Sequence, residues 1–589
     1  MRFLSLLSTS ITLSCALPAL AARPLENLGR GVVAVRASEK DTLVTWRLLG
    51  LDPDGIGFNV YRDTGSSPTK LNSEVLTGGT NFVDSTSVAD EVNTYFVRPV
   101  VDGKEQDASG SFSLPAKNPI EPIVRVPIRS GGAVKFVWVG DLDGDGEWDY
   151  VLDRQTSPQT IEAYTGNGTF LWELNLGPNS ENQNNIEPGP SAVNLGHWDG
   201  VTVFDFDSDG RAEVAVRIAN GVKFGDGTTF DEGESDNHQF MAIIDGRTGA
   251  LRASAPVPTT YISDGPVAAR LGAGFLDGDT PHLVAYLKNR IGSAGFNLMF
   301  VAWTFDGASL TQKWKWDRGD KDFPDGHNTR IIDVLEIGFA LNGDGTERYS
   351  LAGQGVVHGD RFHLAKIDPT REGLQGYGVQ QRNPSFLYEY YYDGSTGDMI
   401  WKHSGDSEND VGRGMVGDID PTHPGMEVWS FSGLYNAKED ALTNAETADA
   451  ALAPWPHLGI WWDGDELLEL FNDGKFEKWD WENPSASNGL PGSSADFGGA
   501  PYGRNPAFIG DILGDWREEV IVTNAAADEL LVFTTDKPSD IRLYTLAHNP
   551  AYRNAMTLKG YVQSHHVDYF LGKGMETPPR PNIRYAGAR

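Results

Sequence analysis

The chain is almost without cysteine: one residue in 589, Cys15. It falls inside an apolar opening stretch, FLSLLSTSITLSCALPALAA, that follows Met1 and Arg2 and ends on the small-residue pattern Ala19, Leu20, Ala21. That pattern predicts a signal peptide over residues 1–22, cleaved near Ala21 or Ala22, and an extracellular protein. A lipid-modified Cys15 fits poorly with Ser14 and Thr12 ahead of it. The mature chain then has no cysteine, so disulfides are excluded as what holds it together. A second apolar run long enough to span a bilayer is also missing, which excludes a membrane anchor after cleavage. Basic charge is scarce: 48 Lys plus Arg face 82 Asp plus Glu, a net charge of -34, which argues against a nucleic-acid partner. No long amphipathic helical pattern is present either.

What the chain does hold is 39% hydrophobic and 11% aromatic residues. That is enough to build large packed sheets and excludes reading the acidic charge as disorder. Its length predicts more than one domain. Residues 23–118 read as one, because LVTWRLLG at 43–50, FNVYRD at 58–63 and TYFVRPVVDG at 94–103 alternate between Gly, Asp, Ser and Pro clusters at β-sandwich spacing. The expected product is a fibronectin III-like module serving as lid or spacer, with sugar binding as the alternative.

Over residues 119–589 one motif recurs: an apolar strand enters an Asp-rich turn and an apolar strand leaves. Copies begin at Val139 (VGDLDGDGEWDYVL), Val203 (VFDFDSDGRAEVAV), Gly274, Val416 (VGDIDPTHPGMEVWS) and Ile509 (IGDILGDWREEVIVT). A second element alternates with it, a hairpin with a Gly turn and often a Trp on the return strand, at Ala163, Ile243, Tyr392 and Trp461 (WWDGDELLELF). Weaker copies start at Phe339 and Leu364. This period predicts the four-stranded blades of an all-β propeller.

The Asp turns carry metal chemistry. Asp141, Asp143 and Asp145 alternate, and Asp149 closes the shell; Asp205, Asp207, Asp209 and Glu213 repeat the scheme, giving the several hard oxygens that calcium takes. Flanking strands and a nearer closing acid separate these loops from an EF-hand. In the eroded copies, Asp418 with Asp420 and Asp511 with Asp515, a metal and a plain turn stand equal.

These repeats, GRGVVAV at 29–35, DVGRGMVGDIDP at 410–421, LGIWWDGD at 458–465, GDWREEVI at 514–521, and FLGKGM with PPRPNI near the end resemble rhamnogalacturonan lyases of polysaccharide lyase family 11. The resemblance covers nearly the whole mature chain. It implies an eight-bladed β-propeller with an attached fibronectin III-like domain, several structural Ca2+ ions and one in the active site. It also implies cleavage of the rhamnose–galacturonate backbone of pectin, an acidic polysaccharide, by β-elimination, in a protein expected to be a monomer. The matching positions put the active-site metal on His327, His358 and Asp360. Two histidines also suit a transition metal, and His358 with Asp360 also suits an ordinary turn. Arg413 matches an arginine facing the substrate and Tyr561 a tyrosine lining the sugar cleft, with His565 and His566 beside it. Arg is the natural clamp for a uronate; pairing with a nearby acid such as Asp418 is its alternative. The chain departs from the family where Gln381 replaces a carboxylate, where Arg504 is the basic residue nearest a missing lysine, and where Arg154 runs almost directly into the hairpin at Ile161. Those departures keep two other readings open: a non-catalytic carbohydrate-binding propeller, and a structural or adhesive calcium propeller.

Overall fold

The computed structural model describes residues 21–180, 200–233, 238–258, 268–291, 295–317, 339–356, 361–380, 385–408, 411–443, 453–484, 488–503, 505–558 and 564–587. The signal-peptide stretch lies outside them. The described chain is almost entirely β, with one α-helix, Pro550–Met556, started by Asn549, whose side chain accepts from the Ala551 and Tyr552 N–H groups.

The first module has two sheets. Val33–Arg36, Thr42–Thr45 and Asn81–Asp84 form one, and Gly57–Asp63, Thr69–Lys70, Asn93–Val101, Lys104–Glu105 and Phe112–Leu114 form the other. Alternation along these strands sends Val44 and Trp46 from the first sheet, and Phe58, Val60, Tyr95 and Val97 from the second, into one shared core.

Beyond it, seven four-stranded antiparallel sheets and one two-stranded hairpin follow among the described residues. The first meander runs Val134–Gly140, Asp149–Arg154, Thr160–Tyr164 and Phe170–Asn175. The leading strands of the later sheets are Val201–Phe204, Ala268–Gly274, Arg361–Ala365, Gly414–Gly417, Gly459–Ile460 and Phe508–Gly510. Leading strands of successive sheets pack side by side, which explains the recurring Gly before Asp. A Cβ on Gly140 would come within 2.5 Å of Val203 in the next sheet, and one on Gly417 within 2.3 Å of Leu468. The last sheet, Phe508–Gly510, Glu519–Thr523 and Glu529–Phe533, takes its outer strand, Ile123–Pro127, from the start of the region.

The return-strand tryptophans have a common task. Trp172 Nε1 donates to Gly246 O at 2.7 Å, Trp314 to Gly343 O at 2.8 Å and Trp401 to Ala437 O at 2.8 Å, each from the fourth strand of one sheet to the outer turn of the next. One copy differs from the sequence expectation. The Trp461 stretch is an Asp loop between the leading strand Gly459–Ile460 and Glu469–Asn472, not a Gly-turn hairpin, because its partners are set by pairing across the loop.

The first and last described segments are tied to the Asp-loop end of the leading strands. Arg23–Leu25 pairs in parallel with Ile583–Tyr585, and Gly29 N donates to Gly146 O at 2.7 Å. Arg47 reaches from the first module to Glu147 at 3.1 Å and to the Ile512 carbonyl. The final segment crosses several leading strands. Ser564 exchanges hydrogen bonds with Gly459, and His565 Nε2 donates to Ile509 O at 2.9 Å. Lys573 N donates to Asp418 at the far end of its strand.

Candidate active site and metal loops

Positive charge collects where the leading strands begin. Arg361 opens one, Arg413 immediately precedes the next and His457 lies just ahead of the third. Arg361 and His457 are buried, at 3% and 5% exposure. Burial, joined by the charges of Arg361 and Arg413, pushes the His457 imidazole down to about 2, so it is neutral at any physiological pH. Two guanidiniums thus stand within electrostatic reach of a neutral imidazole, in a chain of net charge -34.

A pair of histidines supports this floor. His363 Nε2 faces Gly414 O at 3.1 Å, so it carries the proton; His363 Nδ1 then accepts from His566 Nε2 at 3.0 Å. Both His363 nitrogens are thereby used, and burial pushes His566 down to about 4. His565 is buried too, its ring fixed to Ile509.

At the opposite end of the same strands stand the Asp loops. Oxygens of Asp141, Asp143 and Asp149 lie within 4.8 Å of one another, as do those of Asp205, Asp207 and Glu213. These groups of hard oxygens can hold a metal ion. Burial, joined by neighbouring carboxylates, raises Asp141 and Asp149 to about 7 and Glu213 to about 9. Asp145 and Asp209 each accept a loop N–H, from Glu147 and Arg211. The closing acid also works without metal: Asp149, Glu213, Glu427, Glu469 and Glu519 each accept loop N–H groups, at 2.8–3.1 Å.

A third acidic group, Asp463, Asp465 and Glu469, is filled from within. Lys478 Nζ donates to Asp463 at 2.5 Å, to Glu469 at 3.0 Å and to Asp465. In the eroded loops several acid oxygens meet protein donors. Asp511 accepts from Thr545 and the Leu546 N–H, Asp515 pairs with Arg517, and Asp420 accepts from Thr422.

A family model described as "Rhamnogalacturonan lyase family 11, C-terminal domain" matches residues 133–581. The chain belongs to rhamnogalacturonan lyase family 11. A second model, the rhamnogalacturonan I lyase β-sheet domain, matches residues 23–114. Rhamnogalacturonan endolyase YesW of Bacillus subtilis (strain 168) is 34% identical over 96% of this chain and 94% of its own. Rhamnogalacturonan exolyase YesX of the same strain is 30% identical over 96% and 98%. The solved structure of YesW superposes with a TM-score of 0.80 over 96% of this chain and all of that one, as does a Bacillus licheniformis PL11 rhamnogalacturonan lyase, also at 0.80, 96% and 100%.

Of the residues that the family 11 resemblance singled out, Arg413, His565 and His566 are described. His327, His358, Asp360, Gln381, Arg504 and Tyr561 lie outside the described residues. Asp418, the acid weighed as a partner for Arg413, stands at the other end of the strand Gly414–Gly417 and accepts from Lys573 instead. Sequence reasoning passed over Arg361 and His457. The one signal for Arg361 was its place directly after the His-Gly-Asp run at 358–360; His457 had none, since it joins the site only through pairing of separate sheets.

Proposed function

We propose that this family 11 member is a secreted polysaccharide lyase that cleaves the rhamnose–galacturonate backbone of rhamnogalacturonan by β-elimination. The observation that carries the reading is the Arg361–Arg413–His457 cluster, two guanidiniums gathered at the strand ends of a strongly acidic protein. β-Elimination removes the proton beside the uronate carboxylate, so the site must neutralise that carboxylate, accept the proton and release the glycosidic oxygen. Arg413 is our clamp for the carboxylate, with Arg361 reinforcing the field. His457 is too acidic when protonated to act as the base, so it stands in the site as a neutral imidazole. Tyr561 and Arg504 stay our candidates for proton transfer and substrate contact. A cation on His327, His358 and Asp360 would draw charge off the uronate carboxylate; Asp360 directly precedes Arg361 in the chain.

We read the architecture as an eight-bladed propeller carrying a fibronectin III-like module. Seven four-stranded sheets plus the hairpin Phe339–Leu341 and Glu347–Ser350, which accepts Trp314 as the outer half of a blade would, support that count. We assign Ca2+ to the Asp141 and Asp205 loops on their all-oxygen donors. Incubation with rhamnogalacturonan, with and without chelator, tests the function: the ultraviolet absorbance of an unsaturated uronate is expected. Its absence, with new reducing ends also absent, refutes the reading.

A further inference from the structure

Trp455 is the most exposed large apolar side chain among the described residues, at 53%, and Phe431 beside it is 37% exposed. Their rings meet edge to face, with centroids 4.9 Å apart and planes at 67°. Two connections set them next to the cationic cluster. Ser430 pairs with Gly414 in the sheet register, so Phe431 and Arg413 extend the same antiparallel pair by one residue. His457 N donates to Trp455 O at 2.9 Å, which holds the tryptophan one tight turn from the imidazole that feels both arginines. Two aromatic rings left in water at the edge of a positive field are poor core and good sugar platform. The C–H face of a pyranose covers an indole, while its neighbour's carboxylate is taken by guanidinium.

We propose that Trp455, backed by Phe431, is the stacking subsite for a neutral deoxy-sugar ring in the unit next to the uronate held by Arg413. This rests on the lyase reading for the identity of the polymer. Rhamnose, with a methyl group at C6, is the less polar of the two backbone sugars and suits an aromatic surface. A polymer of galacturonate alone would bring a second, hydrated carboxylate over the apolar face of the indole. The pair therefore selects the alternating backbone over homogalacturonan.

The test uses the mature full-length protein and its Trp455→Ala and Trp455→Phe variants. Initial rates on rhamnogalacturonan are expected to show KM raised about tenfold in Trp455→Ala with kcat within about twofold, and Trp455→Phe in between. Calorimetry with a reduced rhamnogalacturonan tetrasaccharide should show the same loss of affinity, with binding of a galacturonate oligomer unchanged. Lysis by the wild type with KM and affinity unmoved in Trp455→Ala overturns the subsite and leaves the lyase reading standing. Binding through Trp455 without lysis supports the subsite and overturns the lyase reading. Neither binding nor lysis overturns both. A dimer in sedimentation that Trp455→Ala dissolves would show the pair covered by a second copy, and also overturns the subsite.

Discussion

Lys478 supplies with one ammonium what a bound ion would supply to Asp463, Asp465 and Glu469. Its removal leaves the buried Glu469 without a countercharge, so Lys478→Ala is expected to lose about 3 kcal/mol in chelator. The vacated oxygens then match the other two loops. Calcium should restore most of that stability, and atomic emission should count one more ion per chain than in the wild type. Arg413 and His457 give a second prediction. Arg413→Gln removes one of the charges that depress the imidazole, so NMR titration should find the His457 pKa higher than in the wild type. The same change should lower kcat/KM on rhamnogalacturonan by about 100-fold or more, the usual loss when an electrostatic partner of the reacting group is removed. Arg413→Lys, a point charge without the fork, should recover only part of it.

Between neighbouring sheets, His403 forms a clamp. Its Nδ1 lies 2.8 Å from Glu389 on the strand Leu387–Asp393, and its Nε2 lies 2.7 Å from Asp440, in the turn of the following sheet. Two carboxylates on two ring nitrogens require an imidazolium. Burial opposes that charge, but the bonds to Glu389 and Asp440 outweigh it and raise the pKa above 6.5. Glu389 is likewise desolvated, yet donors His403, Ser432 and Tyr377 hold it below 4.5. The stabilisation is therefore full between those two values, lost as pH falls through the Glu389 pKa, and lost as pH rises through the His403 pKa. Relative to His403→Gln, the wild type should gain about 2 kcal/mol near pH 6, and less at about pH 9, in urea melts. The sequence made such elements partly legible. The first two Asp loops were visible as acidic groups because their residues are nearly contiguous, and the return-strand Trp was visible though its acceptor was not. The Trp461 loop was misread because Asp-Gly-Asp looks alike in a hairpin and in a leading-strand exit, and only the pairing of Gly459–Ile460 with Glu469–Asn472 decides. Lys478 filling that loop, and Arg361 beside His457, arise from residues brought together across strands, which no local pattern records.

The molecule separates two tasks along its leading strands. One end holds the Asp loops, the first module and the paired segments Arg23–Leu25 and Ile583–Tyr585; the other gathers Arg361, Arg413, His457, Phe431 and Trp455. Chelation should lower the melting temperature through the Asp141 and Asp205 loops, because an ion bound only by the folded state adds its binding free energy to folding. That shift should persist in Arg413→Ala, since the loops and the cluster sit at opposite strand ends; scanning calorimetry with and without calcium checks it. The most direct test of the whole account is the ultraviolet assay of wild type and Arg413→Ala on rhamnogalacturonan and homogalacturonan, side by side. The account predicts unsaturated uronate from rhamnogalacturonan alone, and its near disappearance in Arg413→Ala. Equal product from both polymers, or full activity in Arg413→Ala, would contradict it.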